Sequence, residues 1–178
     1  MKRRAFLSLL PALPLAGCGF ELRGTHAIPY RSIYVAASKG GSENTYETYD
    51  GSTPSTVHRE SIVPKLTKAL RAQGVTIAAS PKEADAVLRI SQEKQNRSIL
   101  SLSGGGRVRE YRLNYTLNYS LTGKDEREIY PETTILSSRD FTYDDNQYLA
   151  KAAEESFLYR DLQEDAVQQI LRRLARPN

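Results

Sequence analysis

Residues 111–122 read Tyr-Arg-Leu-Asn-Tyr-Thr-Leu-Asn-Tyr-Ser-Leu-Thr, the most regular pattern in the chain. Tyrosine and leucine occupy every odd position, while Arg112 and uncharged polar residues occupy every even position. Because side chains alternate between the two faces of a β-strand, the pattern predicts a strand with one apolar and one polar face. Such a strand would span about 40 Å at about 3.3 Å per residue, which is unusually long.

The flanking segments predict further strands and two helices. Alternating residues indicate strands over 30–37, from Ala84 to the glycine turn at 104–106, and from about Ile129 to Tyr143. Apolar residues at helical spacing predict a helix over 56–73, starting near Ser61 because proline is tolerated only in a first turn, and a long helix over 147–176. The stretch 38–55 is rich in small polar residues and predicts a loop.

The expected fold class is α+β with two layers and the order β-α-β-β-β-α. Two helices would pack on the Tyr/Leu face of a four-stranded, mostly antiparallel sheet, leaving the other face wet. Residues 30–178 would form this single domain. Asp144 or Asp145 could cap the last helix.

The N-terminus has the pattern of a bacterial lipoprotein signal. Lys2, Arg3 and Arg4 precede an apolar run that ends in Leu15-Ala16-Gly17-Cys18, and Cys18 is the only cysteine. We therefore expect residues 1–17 to be a signal peptide, Cys18 to carry a diacylglycerol and a fatty acyl chain, and residues 18–29 to be a tether. Export could use the general or the twin-arginine route. Gly19, where Asp would favour the inner membrane, permits the outer membrane.

Composition and motifs argue against several function classes. Without the three basic signal residues, 22 of the 25 basic residues remain against 21 acidic ones, so no basic footprint for nucleic acid is left. His26 and His58 fit no metal-ligand spacing, and the glycine turn lacks the Lys-Ser/Thr ending of a phosphate-binding loop. We expect no enzyme, no metal and no cofactor beyond the lipid on Cys18.

Basic residues accompany the glycine turn. Arg97 precedes it, Arg107 and Arg109 follow it, and Lys151 opens the last helix. Each alone is typical of a solubilising charge, but together they could hold phosphates. The uncharged polar face of 111–122 is compatible with a solvated sheet and also with the polar lumen of an outer-membrane β-barrel.

Four motifs in order resemble the LPS-assembly lipoproteins. They are Cys18-Gly19-Phe20-Glu21-Leu22-Arg23-Gly24, Glu110-Tyr111, Ile129-Tyr130-Pro131 and Leu149-Ala150-Lys151. The resemblance implies two helices on a four-stranded sheet, attachment to the outer membrane, a position as a plug inside a large β-barrel partner, and binding of lipopolysaccharide. It implicates Lys151 directly and a basic residue near the turn, here Arg107 or Arg109. The alternative is a stand-alone periplasm-facing lipoprotein, such as a pilotin or an accessory of another envelope transporter, without lipopolysaccharide affinity.

Overall fold

A computed structural model describes residues 28–37, 43–46 and 61–176. The strands and helices are β1 Ser32–Ala37, β2 Glu43–Tyr46, α1 Val63–Ala72, β3 Thr76–Ile77, β4 Ala86–Leu102, β5 Val108–Gly123, β6 Glu128–Thr142 and α2 Tyr148–Leu174. The predicted signal peptide, Cys18 and the tether as far as residue 27 lie outside the described residues.

The sheet has more strands than the sequence predicted. Five strands are hydrogen-bonded in the order β3-β1-β4-β5-β6. The short β2 pairs with residues 94–97 of β4, on the same edge of β4 that pairs with β1. β1 is parallel to β3 and β4, whereas β4, β5 and β6 form an antiparallel meander. The four-stranded prediction and the order β-α-β-β-β-α were therefore wrong. β3 has two residues, too few for a visible period, and β2 lies in the predicted loop and carries no apolar alternation.

The predicted alternation of apolar and polar residues in β5 is confirmed, since the apolar residues lie on the buried face of the sheet. Leu113, Tyr115, Leu117, Tyr119 and Leu121 are at most 2% exposed and form the centre of the core. Both helices pack on this face, so the two-layer α+β architecture is confirmed. The even-numbered face, which we call the open face, bears no described helix. A sheet covered on one side only is a common antiparallel arrangement.

Both helices begin later than the predicted ranges 56–73 and 147–176, at Val63 and Tyr148. Pro64 occupies the first turn of α1, and Gly74 ends the segment with a φ of +80°, a conformation that favours glycine. Before α2, the carboxylate of Asp144 accepts a hydrogen bond from the backbone N–H of Asn146 at 3.0 Å. Asp144 therefore caps the short turn Asp145–Gln147 that leads into α2, and not α2 itself.

One buried carboxylate joins both helices to the sheet. Glu93 of β4 is 7% exposed. Its Oε1 accepts hydrogen bonds from the Tyr115 hydroxyl at 2.9 Å and the Gln163 amide at 3.0 Å. Its Oε2 accepts from the Ser61 hydroxyl and the Ile62 N–H, both at 3.1 Å. Glu93 thus binds β5, the start of α1 and the middle of α2 at one point.

The same cluster extends to a second contact between the helices. Lys65 Nζ of α1 donates to Gln163 Oε1 at 2.8 Å, so the Gln163 amide uses its oxygen toward α1 and its nitrogen toward Glu93. Burial, followed by the nearby Glu93 carboxylate, raises the pKa of Tyr115 far above its ordinary range. Tyr115 therefore remains a neutral donor while the domain is folded.

We expect Glu93→Leu to lower the free energy of unfolding by about 3 kcal/mol or more, because several buried donors lose their acceptor. Glu93→Gln should cost less, since its amide oxygen can retain the bonds made by Oε1. Tyr115→Phe should cost about 1 kcal/mol, the value of one hydrogen bond. Urea unfolding followed by circular dichroism measures all three.

Glu83→Leu and Glu83→Gln are matched controls, because the Glu83 side chain is exposed in the turn before β4. Both should unfold at the wild-type urea concentration. Equal losses for Glu93→Leu and Glu83→Leu would contradict a special role for the Glu93 carboxylate.

Candidate functional site

The turn between β4 and β5 is a tight hairpin end. Ser103 N–H donates to the Arg107 carbonyl at 2.7 Å, and Gly106 N–H donates to the Ser103 carbonyl at 2.9 Å. Gly106 has a φ of +77°, so this position requires glycine, whereas Gly104 and Gly105 have ordinary φ values and open space around them. The glycine run therefore makes a turn and builds no enclosed anion cradle of its own.

Arg107 and Arg109 project from this hairpin into solvent. Both residues are exposed, and neither guanidinium forms an ion pair with any residue that the structure describes. Arg109 lies at a register shift between β4 and β5, where the strict alternation of side chains is interrupted. Within the part of the chain that the structure describes, both charges are open to a ligand.

Arg97 is used differently from the other two arginines. Its Nη1 lies 2.9 Å from Glu155 Oε2 of α2, and its guanidinium lies 4.2 Å from the centre of the Tyr111 ring. The Tyr111 ring in turn contacts Phe141 and Tyr143, with ring centres 5.8 Å and 5.1 Å away. Arg97 therefore ties the hairpin to α2 and does not stand free beside Arg107 and Arg109.

Lys151 lies at the same end of the molecule as the hairpin. α2 runs antiparallel to β4, since Gln163 contacts Glu93 and Glu155 contacts Arg97. Lys151 is one helical turn before Glu155, about 6 Å closer to the hairpin. Its Nζ forms an ion pair with Glu154 at 2.9 Å, and Glu154 is half exposed, so a stronger anion could replace this partner.

Exposed apolar side chains lie on the same elements as these charges. Leu100 and Leu102 of β4 are 40% and 48% exposed, and Tyr148 and Leu149 of α2 are 62% and 82% exposed. Leu149 is one of the apolar residues whose helical spacing predicts the last helix, and it is nevertheless exposed because the first turn of α2 extends beyond the core. The hairpin, the first turns of α2 and their charges are called the basic end below.

The open face of the sheet has a different chemistry. Its central positions on β5 are Asn114, Thr116, Asn118, Ser120 and Thr122, all partly exposed. Arg112 at the hairpin side forms a two-point ion pair with Asp140 at 2.7 and 2.8 Å, which lowers the pKa of Asp140 and raises that of Arg112. The β5 positions of this face therefore offer uncharged hydrogen-bonding groups beside the paired Arg112, and the exposed Lys94 and Arg89 of β4, opposite Thr116 and Ser120, add cations to the same face.

Within the described parts of the chain, no three His, Cys, Asp or Glu side chains converge as they would to hold a metal ion. In the same residues, no helix has the length and apolar character needed to cross a membrane.

Comparison with known proteins identifies the family. The model of the family LptE, lipopolysaccharide-assembly, matches residues 31–174. The chain belongs to the LptE family. The LPS-assembly lipoprotein LptE of Pectobacterium atrosepticum is 29% identical over 98% of this chain and 86% of its own length. That of Yersinia enterocolitica is 30% identical over 98% of this chain and 77% of its own length.

Solved structures of lipoproteins share the LptE fold of this chain. Lipoprotein B from Nitrosomonas europaea superposes with a TM-score of 0.68 at 31% identity, covering 88% of this chain and 90% of its own. Rare lipoprotein B from Shewanella oneidensis has the same fold, with a TM-score of 0.61 at 22% identity over 81% of this chain and 93% of its own. Family membership confirms the predicted resemblance and makes the chain a non-enzymatic, cofactor-free LPS-assembly lipoprotein.

Arg97→Met should lower the free energy of unfolding by about 2 kcal/mol. This is below the cost of breaking a fully buried ion pair, because a fifth of the Arg97 side chain remains in water. The loss should fall when Glu155→Leu is added, since the buried carboxylate is then removed as well. A urea-unfolding double-mutant cycle measures this coupling.

Arg112→Met is the matched control, because it breaks an arginine–carboxylate pair on the open face where both side chains are nearly half exposed. We expect a much smaller loss of stability for Arg112→Met. Equal effects of the two substitutions would contradict the assignment of Arg97 as the tie between hairpin and helix.

Proposed function

We propose that this chain is an outer-membrane lipoprotein that plugs a large β-barrel translocon, supports its assembly and binds lipopolysaccharide during delivery to the outer leaflet. Acylated Cys18 anchors the chain, and the tether holds residues 30–178 on the periplasmic side and within the barrel lumen. Family membership supports assembly of lipopolysaccharide as the process.

The observation that carries lipopolysaccharide binding is the composition of the basic end. Lipopolysaccharide presents phosphates beside acyl chains. Arg107 and Arg109 are exposed cations at the hairpin, and Lys151 lies toward them from α2. Leu102 and Leu149 expose aliphatic surface at the same end. Cations donate charge-assisted hydrogen bonds to phosphate, and aliphatic side chains favour acyl chains over water.

The open face supports a place inside a barrel. Lumen-facing residues of outer-membrane barrels are polar, because the lipid faces the alternate positions. The strip of this face that β5 supplies is rich in amide and hydroxyl groups, which can form hydrogen bonds with such a wall. Asn114, Thr116 and Asn118 supply these groups at the middle of the sheet.

We expect the triple variant with Lys151, Arg107 and Arg109 all changed to Asp to bind lipopolysaccharide at least about tenfold more weakly, or about 1.4 kcal/mol. Three attractive charges become repulsive toward phosphate. Arg107 and Arg109 are exposed, so the melting temperature should fall only by the cost of replacing Lys151, whose side chain is 18% exposed. Titration of full-length protein in detergent with fluorescent lipopolysaccharide measures the affinity.

The control changes Lys82, Lys124 and Arg127 to Asp, which alters net charge equally at the opposite, exposed end of the sheet. Affinity should stay within about twofold of the wild type. Unchanged affinity in the basic-end variant would remove Lys151, Arg107 and Arg109 from the site, and equal losses in both triples would indicate only general attraction.

A pull-down tests the proposed partner. Tagged full-length chain, extracted from outer membranes in mild detergent, should carry with it one large β-barrel protein in roughly equal amount, identified by mass spectrometry. Recovery of the chain alone would favour the stand-alone lipoprotein instead.

A further inference from the structure

β6 forms one end of the strand order, and no other described strand pairs with its outer edge. The middle of β6 reads Thr133-Thr134-Ile135-Leu136-Ser137-Ser138, six uncharged residues without glycine or proline. β-branched and hydroxyl residues of this kind favour an extended backbone, and an uncharged edge invites pairing with another chain.

The hydrogen bonds of β5 show which backbone groups of β6 point outward. The carbonyl of Arg112 accepts from the Ser98 hydroxyl on β4, so even-numbered residues of β5 direct their backbone groups toward β4. The carbonyl of Arg109 accepts from the Tyr143 N–H at 2.8 Å, so odd-numbered residues direct theirs toward β6.

The pairing of β5 with β6 shows which residues of β6 direct their backbone groups toward β5. Its odd-numbered residues Thr133, Ile135 and Ser137 lie opposite Tyr119, Leu117 and Tyr115 and share their ladder. The even-numbered residues Thr134, Leu136 and Ser138 therefore direct N–H and C=O to the outside. The Arg139 guanidinium reaches the Ser138 carbonyl at 3.1 Å, as an outward carbonyl allows.

The charged residues that flank this stretch are already engaged within the chain. Glu132 hydrogen-bonds with Ser91, and Arg139 pairs with Asp165 at 2.5 Å. Natural edge strands are protected by charges, proline or bulges. Here Pro131 and the charges stand at the ends. The Arg139 guanidinium covers the outward Ser138 carbonyl, and residues 133–137 carry no such protection.

Leu136 connects the edge to the open face. It lies opposite Thr116, so its side chain is on the open face, and it is 74% exposed. A segment added beside β6 would find a row of backbone donors and acceptors, one aliphatic side chain to cover, and the uncharged β5 positions Asn114, Thr116 and Asn118 next to the edge. Such a surface complements an extended, uncharged chain.

We propose that the outer edge of β6, from Thr133 to Ser138, takes up an extended, uncharged segment of the barrel partner as an added strand. The inference rests on the proposed function. Strands within a closed barrel are hydrogen-bonded on both sides, so the segment belongs to the part of the partner chain outside that ladder. Backbone hydrogen bonds supply the contact, and Leu136 packs against the added segment.

Proline substitution at outward positions provides a selective test. Leu136→Pro and Thr134→Pro each remove an outward N–H and keep every N–H that donates to β5, which an edge strand tolerates. In the pull-down, each should lower recovery of the identified barrel protein by about tenfold or more. Leu136→Val retains the N–H and an aliphatic side chain, so it should recover the barrel within about twofold of the wild type.

Hydrogen exchange keeps the test independent of how well the proline variants fold. In the full-length wild-type chain, the amides of Thr134, Leu136 and Ser138 should exchange more slowly in the barrel complex than in detergent alone. Peptides covering 132–140, analysed by mass spectrometry, report this difference. The size of the chain in detergent, measured by light scattering, reports pairing with a second copy.

Each outcome supports or overturns the assignment of the β6 edge to the barrel partner. If the wild type recovers no barrel, both the proposed function and this inference fall. If it recovers the barrel but exchange at 132–140 is unchanged, or folded Leu136→Pro recovers as much barrel as the wild type, only the edge assignment is overturned. A dimer of the free chain that Leu136→Pro abolishes while barrel recovery persists would assign the edge to a second copy and also overturn it.

Discussion

The position of both helices depends on the Glu93 carboxylate. A carboxylate taken out of water must find donors, and here they come from the start of α1, from β5 and from the middle of α2. The contact thereby fixes where α1 begins and which part of α2 lies over β4. Aliphatic side chains around it can pack in several ways, but these hydrogen bonds can form in only one alignment, so they specify the arrangement as well as satisfying the charge.

The spacing of residues along β4 and along α2 extends this alignment toward the basic end. Glu93 and Arg97 are four residues apart on β4, about 13 Å. Their partners Gln163 and Glu155 are eight residues apart on α2, about 12 Å. Because the distances agree, strand and helix run side by side from one polar contact to the other. The first turns of α2 are thereby carried past the core, which is why Leu149 is exposed and why Lys151 lies toward the hairpin.

The parts of the fold that could be predicted were those with a regular spacing of apolar residues or with a residue that marks one end of a helix within a short stretch of sequence. The alternation over residues 111–122 identified the buried face of β5, and Pro64 marked the start of α1. β2 and β3 were missed because their pairing with β4 and β1 depends on distant residues. Glu93 and Arg97 looked like ordinary surface residues of a strand, since their partners on α2 lie about 60 to 70 residues away.

The contact between Glu93 and Gln163 also governs when the chain can complete its fold. The last helix of the chain supplies one donor to Glu93 and covers much of the Tyr/Leu face. A chain cut before residue 148 would present an apolar sheet and a carboxylate with fewer donors to water. Contacts of such long sequence separation form late, since the entropy of closing the loop must be overcome first. Completion of the core therefore requires synthesis through α2, and chains that lack α2 are left recognisable to proteases by the surface they still expose.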